Sequence, residues 1–272
     1  MKIGYQNLHT HTTYCDGTLS AEDMVKAAIQ MGGSSIGFSE HSFVSFDKEY
    51  SMSLKDTPVY ANEINALKKK YDGQIEIFLG IEMDCFTDKV PDGMEYVIGA
   101  THHVEEDGQF ITVDCSAEHI AKMSNRYFGG DYYAMAESYF AAVAKLIDKT
   151  NADVVGHFDL VAKQNIDGRM FDEMHPRYLK AALAAMDEVL AVCKLFEINT
   201  GAMYRLGKNV PYPSEYLLKE LNKRGGEILL SSDSHDAGSM YYKFDDMIDL
   251  AKDCGFRHIK RLTKDGFIDV KI

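Results

Sequence analysis

No run of this sequence approaches the ~18 consecutive apolar residues that a membrane-spanning helix needs, and the opening MKIGYQNLHTHT holds no apolar signal-peptide core. Positive charge is scarce too. Lys and Arg total 29 against 42 Asp and Glu, a formal net charge of −13, and such a field repels nucleic-acid backbones and anionic membranes unless buried metal ions reverse it locally. Cysteines are few and scattered. Cys15, Cys85, Cys115, Cys193 and Cys254 form no CxxC pair and make an odd total, which fits reduced thiols in the cytosol better than a disulfide framework. No composition break marks a linker. The expectation is a soluble cytoplasmic protein, one domain over residues 1–272, whose partner is a small molecule rather than a membrane or a nucleic acid.

What is present is an alternation of short apolar runs with amphipathic segments, the pattern of βα units around a parallel sheet. The expected strands are 3–9, 34–38, 75–81, 96–100, 153–156, 195–198 and 227–231, with HIKRL at 258–262 as a further candidate. Their near-continuous apolar character fits strands covered on both faces. The first helix is expected to begin at Ser20 as N-cap and stop at Gly32–Gly33; the second has Pro58 in its first turn and a basic end. Further helices are expected at about 116–127, 131–149, 176–193, 214–224 and 240–254. The stretch 105–150 exceeds what a βα connection needs and reads as a helical insertion packed on the sheet, or as a lid.

The histidines have a pattern of their own. His9 and His11 follow QNL and share a strand face; His41 follows SSIGFSE, Glu82 follows EIFLGI, His102 follows EYVIGAT, His157 follows ADVVG, and Asp233 and His235 follow EILLSS. Six of ten histidines thus stand past the C-terminal end of an expected strand, and in a parallel barrel those ends meet at one mouth. Singly, each is ordinary: an HxH pair is usually incidental, a lone histidine structural, SDSH a turn. Crowded together, imidazoles and carboxylates repel or pay desolvation unless they surround cations. The candidate ligands number nine: His9, His11, Asp16, His41, Glu82, His102, His157, Asp233 and His235. That is more than one ion needs, and Glu82 is suited to bridge. Without thiolates the set suits zinc, iron or manganese. His103, His119, His175 and His258 are expected outside it, and Cys15 and Cys85 are read as packing residues.

The ordered motifs HTH, CDG, SEH, GIEMD, GATHH, GHFDL and SSDSH resemble the polymerase and histidinol phosphatase (PHP) family of metal-dependent phosphoesterases, over nearly the whole chain. SEHS at 39–42 and INTGAMYRLGKNVPYPS at 198–214 are most similar to its histidinol-phosphatase branch. The resemblance implies a distorted TIM-like (β/α)7 barrel with two or three divalent ions. It also implies the grouping: His9, His11, Glu82 and Asp233 around one ion, Glu82, His102 and His157 around a second, and Asp16, His41 and His235 around a third. Two departures are mild: GATH replaces a commoner GSVH, and Asp16 stands where some members have histidine.

Such a cluster suits hydrolysis of a phosphate monoester, with Glu82 and Asp233 at the catalytic ions and an activated water as nucleophile. Arg205 is the first candidate to grip the phosphate, as a guanidinium does so in bidentate fashion; Lys163 and Arg169 rank below it, and each otherwise reads as a solvated surface charge. The implied reaction is conversion of L-histidinol phosphate to L-histidinol and phosphate, a step of histidine biosynthesis. Competing readings are a phosphoesterase acting on nucleotides or nucleic-acid ends, a non-catalytic metal-binding scaffold, and an amidohydrolase-type barrel. The last also opens with HxH but fits Glu82 and DSH less well.

Overall fold

The computed structural model describes residues 4–87 and 89–272, so Ile3, expected to open the first strand, lies outside the described residues. Seven strands pair side by side and parallel in chain order: β1 (Gln6–Asn7), β2 (Ser35–Phe38), β3 (Glu76–Asp84), β4 (Tyr96–Ala100), β5 (Val154–Val155), β6 (Leu195–Asn199) and β7 (Glu227–Ser231). β7 and β1 share no ladder among the described residues. One parallel bridge, Thr10 to Ser234, joins them, and Asn7 Nδ2 donates to Ser232 Oγ (2.8 Å) and Ser234 Oγ (3.1 Å). The sheet therefore curls into a distorted, nearly closed (β/α)7 barrel. β1 is shorter than the expected 3–9; past its end the seam is carried by two backbone bonds, His11 N to Ser234 O (2.8 Å) and Ser234 N to His9 O (3.0 Å), together with the Asn7 side chain, while Thr10 Oγ1 donates to Gly37 O on the β2 side.

Leu8, Phe78, Tyr96, Ile98, Val154, Leu195 and Leu229 form one buried cluster with Leu262. Phe78 lies on the same strand face as Glu82, and Leu195 on the same face as Glu197, so this cluster fills the barrel beneath the mouth. A larger apolar layer packs the outer strand faces against the helices. Helix boundaries follow their local signals. Helix Ala21–Gln30 is capped by Ser20, whose side chain accepts from Asp23 N, and helix Thr57–Lys70 has proline in its first turn and three lysines in its last. No helix among the described residues is long and apolar enough to cross a membrane.

Two expectations are corrected. The 105–150 segment is not helical throughout: it opens with an antiparallel hairpin, His103–Glu106 against Gln109–Thr112, whose turn residues Asp107 and Gly108 have φ of 51° and 69°. Asp-Gly at such a turn lets the strands reverse without splaying. Helices Ala117–Tyr127, Tyr132–Val143 and Leu146–Thr150 come next, the expected 131–149 helix being interrupted at Ala144 and Lys145. Tyr139 and Phe140 are buried there, and the Phe140 ring meets Tyr178 edge-on at 5.3 Å. Second, HIKRL is a strand but not a barrel strand. His258–Thr263 pairs antiparallel with Gly266–Lys271 and ties to β1 through Gln6 Oε1, which accepts from Leu262 N at 2.8 Å.

Tyr96 is the largest interior group, donating its hydroxyl to Phe38 O at 3.0 Å and to Leu8 O. Its ring occupies the space that a side chain on Gly80 would need, an added Cβ standing within 2.6 Å of Tyr96 Cε2. Gly80→Ala should therefore overpack the interior and lower stability by about 1–3 kcal/mol. Urea denaturation reads this directly, and an unchanged midpoint would show that the interior yields.

Candidate metal centre

The strand ends deliver the predicted side chains to one place. His9 and His11 follow β1, His41 follows β2 and bridges to Glu82 of β3, His102 follows β4, His157 follows β5, and Asp233 and His235 follow β7. Asp16 comes from the turn after His11, where Gly17 is required: a Cβ there would lie 2.5 Å from the His11 carbonyl carbon. All nine candidates fall into groups whose ligand atoms lie within 4.8 Å of one another: His9, His11 and Asp233; His9, Glu82 and His157; His41, Glu82 and His102; and His11, Asp16, His41 and His235.

The centre is Glu82, whose carboxylate faces five imidazoles. Oε2 lies 3.3 Å from His9 Nε2, 3.5 Å from His11 Nε2 and 2.7 Å from His41 Nδ1, while Oε1 lies 2.9 Å from His157 Nε2 and 3.4 Å from His102 Nε2. Asp233 Oδ1 adds contacts of 3.6 Å to His9 and 3.1 Å to His11. Yet His9 Nε2, His11 Nε2, His41 Nδ1 and Glu82 Oε2 are buried without a hydrogen-bond partner. Orphaned lone-pair atoms aimed at a common centre are costly in a protein interior. Divalent cations would satisfy them together, so the donor set fits the ions the sequence implies.

Ionisation agrees. Burial opposes charge throughout, but the His41, His9 and His102 imidazoles hold Glu82 well below the usual carboxylate range. Against burial, the Glu82 and Asp16 carboxylates push His41 up to about 9, and Glu197, Glu82 and Asp233 hold His9 well above its ordinary value. His11 goes the other way: burial, with His41 and His235 beside it, presses it down to about 3. Without cations the cluster balances its carboxylates with protons on some imidazoles.

Above it opens a cavity of about 430 Å³ lined by Asp16, His41, His102, Asp233 and His235, and also by Arg205 and Lys163. His9, His11, Glu82 and His157 form the buried layer beneath. Arg205, on the short helix Gly201–Leu206 after β6, is already engaged: Nη2 lies 2.6 Å from Asp233 Oδ2, and Nη1 donates to Asp233 O at 2.7 Å. It thereby holds Asp233 at φ 46°, a left-handed conformation that costs a non-glycine residue about 1 kcal/mol. Lys163 pairs with Asp114. Arg169 is corrected: it does not line the cavity, and its exposed side chain reaches Asp167 at 3.4 Å, beyond the left-handed Asp167–Gly168 turn.

Several residues escaped the sequence reading. Glu197 bonds His9 Nδ1 (2.9 Å), and Asp84 lies 3.2 Å from His102 Nδ1. Cys15, expected as mere packing, puts Sγ 2.7 Å from Glu40 Oε2 and 3.4 Å from His11 Nδ1. The only signal for the carboxylates was an acidic residue inside an apolar strand pattern, in SEH, GIEMD and LFEIN. His103 sits on the cavity wall, 3.2 Å from Asp47, and in none of the ligand groups. His175 caps the helix Pro176–Leu190 by accepting from Arg177 N.

A parallel barrel with histidine and carboxylate ligands at its strand ends defines a metal-dependent hydrolase type of architecture. The PHP domain matches residues 7–201, and the chain belongs to the PHP family. It is 31% identical to a Deinococcus radiodurans protein named "Probable histidinol-phosphatase", over 94% of this chain and 98% of that one. A Schizosaccharomyces pombe protein of the same name is 28% identical, over 79% and 74% of the two chains. The crystal structure of histidinol phosphate phosphatase from Lactococcus lactis, complexed with zinc, L-histidinol and phosphate, has a TM-score of 0.73 at 22% identity, covering 97% of this chain and 98% of that one; it shares the fold.

Zinc or manganese should raise the thermal midpoint of chelator-treated protein, by the equivalent of about 2.7 kcal/mol at a hundredfold excess over Kd. Since ligation needs neutral imidazoles, binding at neutral pH should release protons held by His9 and His41, and the stabilisation should fade on acidification. Calorimetry in buffers of different ionisation enthalpy counts those protons; no buffer dependence would refute the protonated resting cluster.

Proposed function

We propose that the protein is a metal-dependent phosphomonoesterase that hydrolyses L-histidinol phosphate to L-histidinol and phosphate, using two or three zinc, iron or manganese ions. The observation that carries this reading is the convergence of nine candidate nitrogen and oxygen ligands, five of them with orphaned buried atoms, at a cavity also lined by Arg205 and Lys163. Similarity to relatives named histidinol-phosphatase supports the substrate, as does the zinc, L-histidinol and phosphate in the Lactococcus lactis structure. Five free cysteines accord with a cytoplasmic site of action.

Bound at this cluster, divalent ions supply Lewis acidity toward phosphoryl oxygens and acidify a water. The chain's own residues do the rest. Glu82 holds the imidazoles in one arrangement and would share the ions with them, while Asp233 is oriented by Arg205. Arg205 and Lys163 line the cavity and would receive the phosphate. Tyr50 Oη, buried against the His41 ring, has no partner. Burial and the Asp84 and Glu82 charges push its phenol up, so it stays protonated and can donate to a substrate oxygen. Asp47, Glu49 and Asp114 line the same cavity and suit a cationic amine rather than a second phosphate.

Phosphate release from histidinol phosphate, nucleoside monophosphates and a single-stranded oligonucleotide tests the reading on metal-replete protein. Turnover should be fastest for the first; preference for the oligonucleotide would overturn the substrate, and metal uptake without hydrolysis of any ester would favour a scaffold. Glu82→Ala should remove activity. Arg205→Ala should lower kcat/KM about 10- to 100-fold, from the ~1.5–3 kcal/mol of a charged hydrogen bond, with kcat affected because Asp233 is released as well.

A further inference from the structure

Beneath the ligands lies Glu197, fully buried in β6. A carboxylate there costs several kcal/mol unless its oxygens are satisfied. They are. Oε2 accepts from Ser231 Oγ at 2.6 Å and faces His9 Nδ1 at 2.9 Å, while Oε1 accepts from His157 N at 2.6 Å and Asn199 Nδ2 at 2.7 Å. These donors come from β6, β7 and the segments after β1 and β5, so one side chain ties four parts of the barrel. No Lys or Arg among the described residues pairs with it; its one ion-pair contact is His9. The charge is therefore directed at the cluster.

A histidine that offers Nε2 to a cation must keep its proton on Nδ1, and the acceptor of that proton fixes the tautomer and raises the ring's basicity. Glu197 is that acceptor for His9, and through the amide bond it also fixes where His157 begins. His9 occurs in two of the ligand groups, with His11 and Asp233 and with Glu82 and His157. Asp16, His41 and His235 make no hydrogen bond to Glu197.

We propose that Glu197 is a positioning residue for the two inner cation positions: it sets the His9 tautomer and the seat of His157, and so the tightness with which the Glu82-centred pair of ions is held, without acting on the outer position. This rests on the metal cluster of the proposed function.

The test is zinc titration of chelator-treated wild type, Glu197→Gln and Glu197→Asp in competition with a chromophoric chelator, with visible spectra of the cobalt-substituted proteins. Glu197→Gln places an amide N–H2 where a donor already points. It should weaken the inner ions about 10- to 100-fold and shift the cobalt bands, which a merely structural loss would leave alone; Glu197→Asp, one methylene shorter, should fall between. Wild-type zinc affinity and a superimposable cobalt spectrum in Glu197→Gln would overturn this inference alone. Should that variant not fold, Glu197→Asp decides by the same two readouts. A wild type that takes up no zinc, manganese or iron would overturn the metal cluster and this inference with it.

Discussion

One carboxylate facing five imidazoles is the constraint on which the rest of the structure depends. Glu82 is almost fully buried and has no Lys or Arg partner among the described residues, so its charge is balanced by the rings around it and by whatever they share. The rings come from four strand ends beside β3. A shift in the register of any of those strands would withdraw a ligand. Stability and site geometry are therefore coupled: the same barrel closure that buries the apolar interior brings the donors into range.

Three of the candidate ligand imidazoles are backed by a second group. Glu197 stands behind His9, Asp84 behind His102, and Cys15 with Glu40 behind His11. Burying these acids is unfavourable for folding and is offset by hydrogen bonds to backbone amides, hydroxyls and ring nitrogens; Glu40, for example, accepts from Thr12 N and Thr12 Oγ1. Asp233 shows a similar compromise, since its left-handed backbone is held by Arg205 from a different strand end. Local rules yield where function requires it, and neighbouring interactions compensate.

This layering explains what the sequence discloses and what it hides. The candidate ligand positions were legible because parallel strands point their C-terminal ends at one mouth, so residues such as His41 and His157, distant in the chain, could be placed together by pattern alone. The backing acids were not, because Glu197 in LFEIN or Asp84 in GIEMD reads as one polar interruption of an apolar strand, and nothing local tells which imidazole it meets. The His103–Thr112 hairpin carried a readable Asp-Gly turn, overridden by the helical pattern of residues 116–149 beside it. Arg205 and Arg169 each stand past a strand end; loop direction, which spacing does not encode, sends the first into the cavity and the second to the surface.

For an acidic protein to act on the phosphate ester proposed above, its field needs a local reversal. Arg205 and Lys163 do not provide enough of one, for each is already neutralised, by Asp233 and by Asp114. In the cavity lining, the carboxylates of Asp16, Asp47, Glu49, Asp114 and Asp233 stand against Arg205 and Lys163, with the imidazoles of His41, His102, His103 and His235 beside them. Cations held at the cluster would supply the missing attraction for phosphate, each bringing two charges to a place of low dielectric where an ion pair is strong. The remaining rim carboxylates then favour an ester that carries a positive amine over one that carries further phosphates, so a single arrangement of charge serves both capture and discrimination.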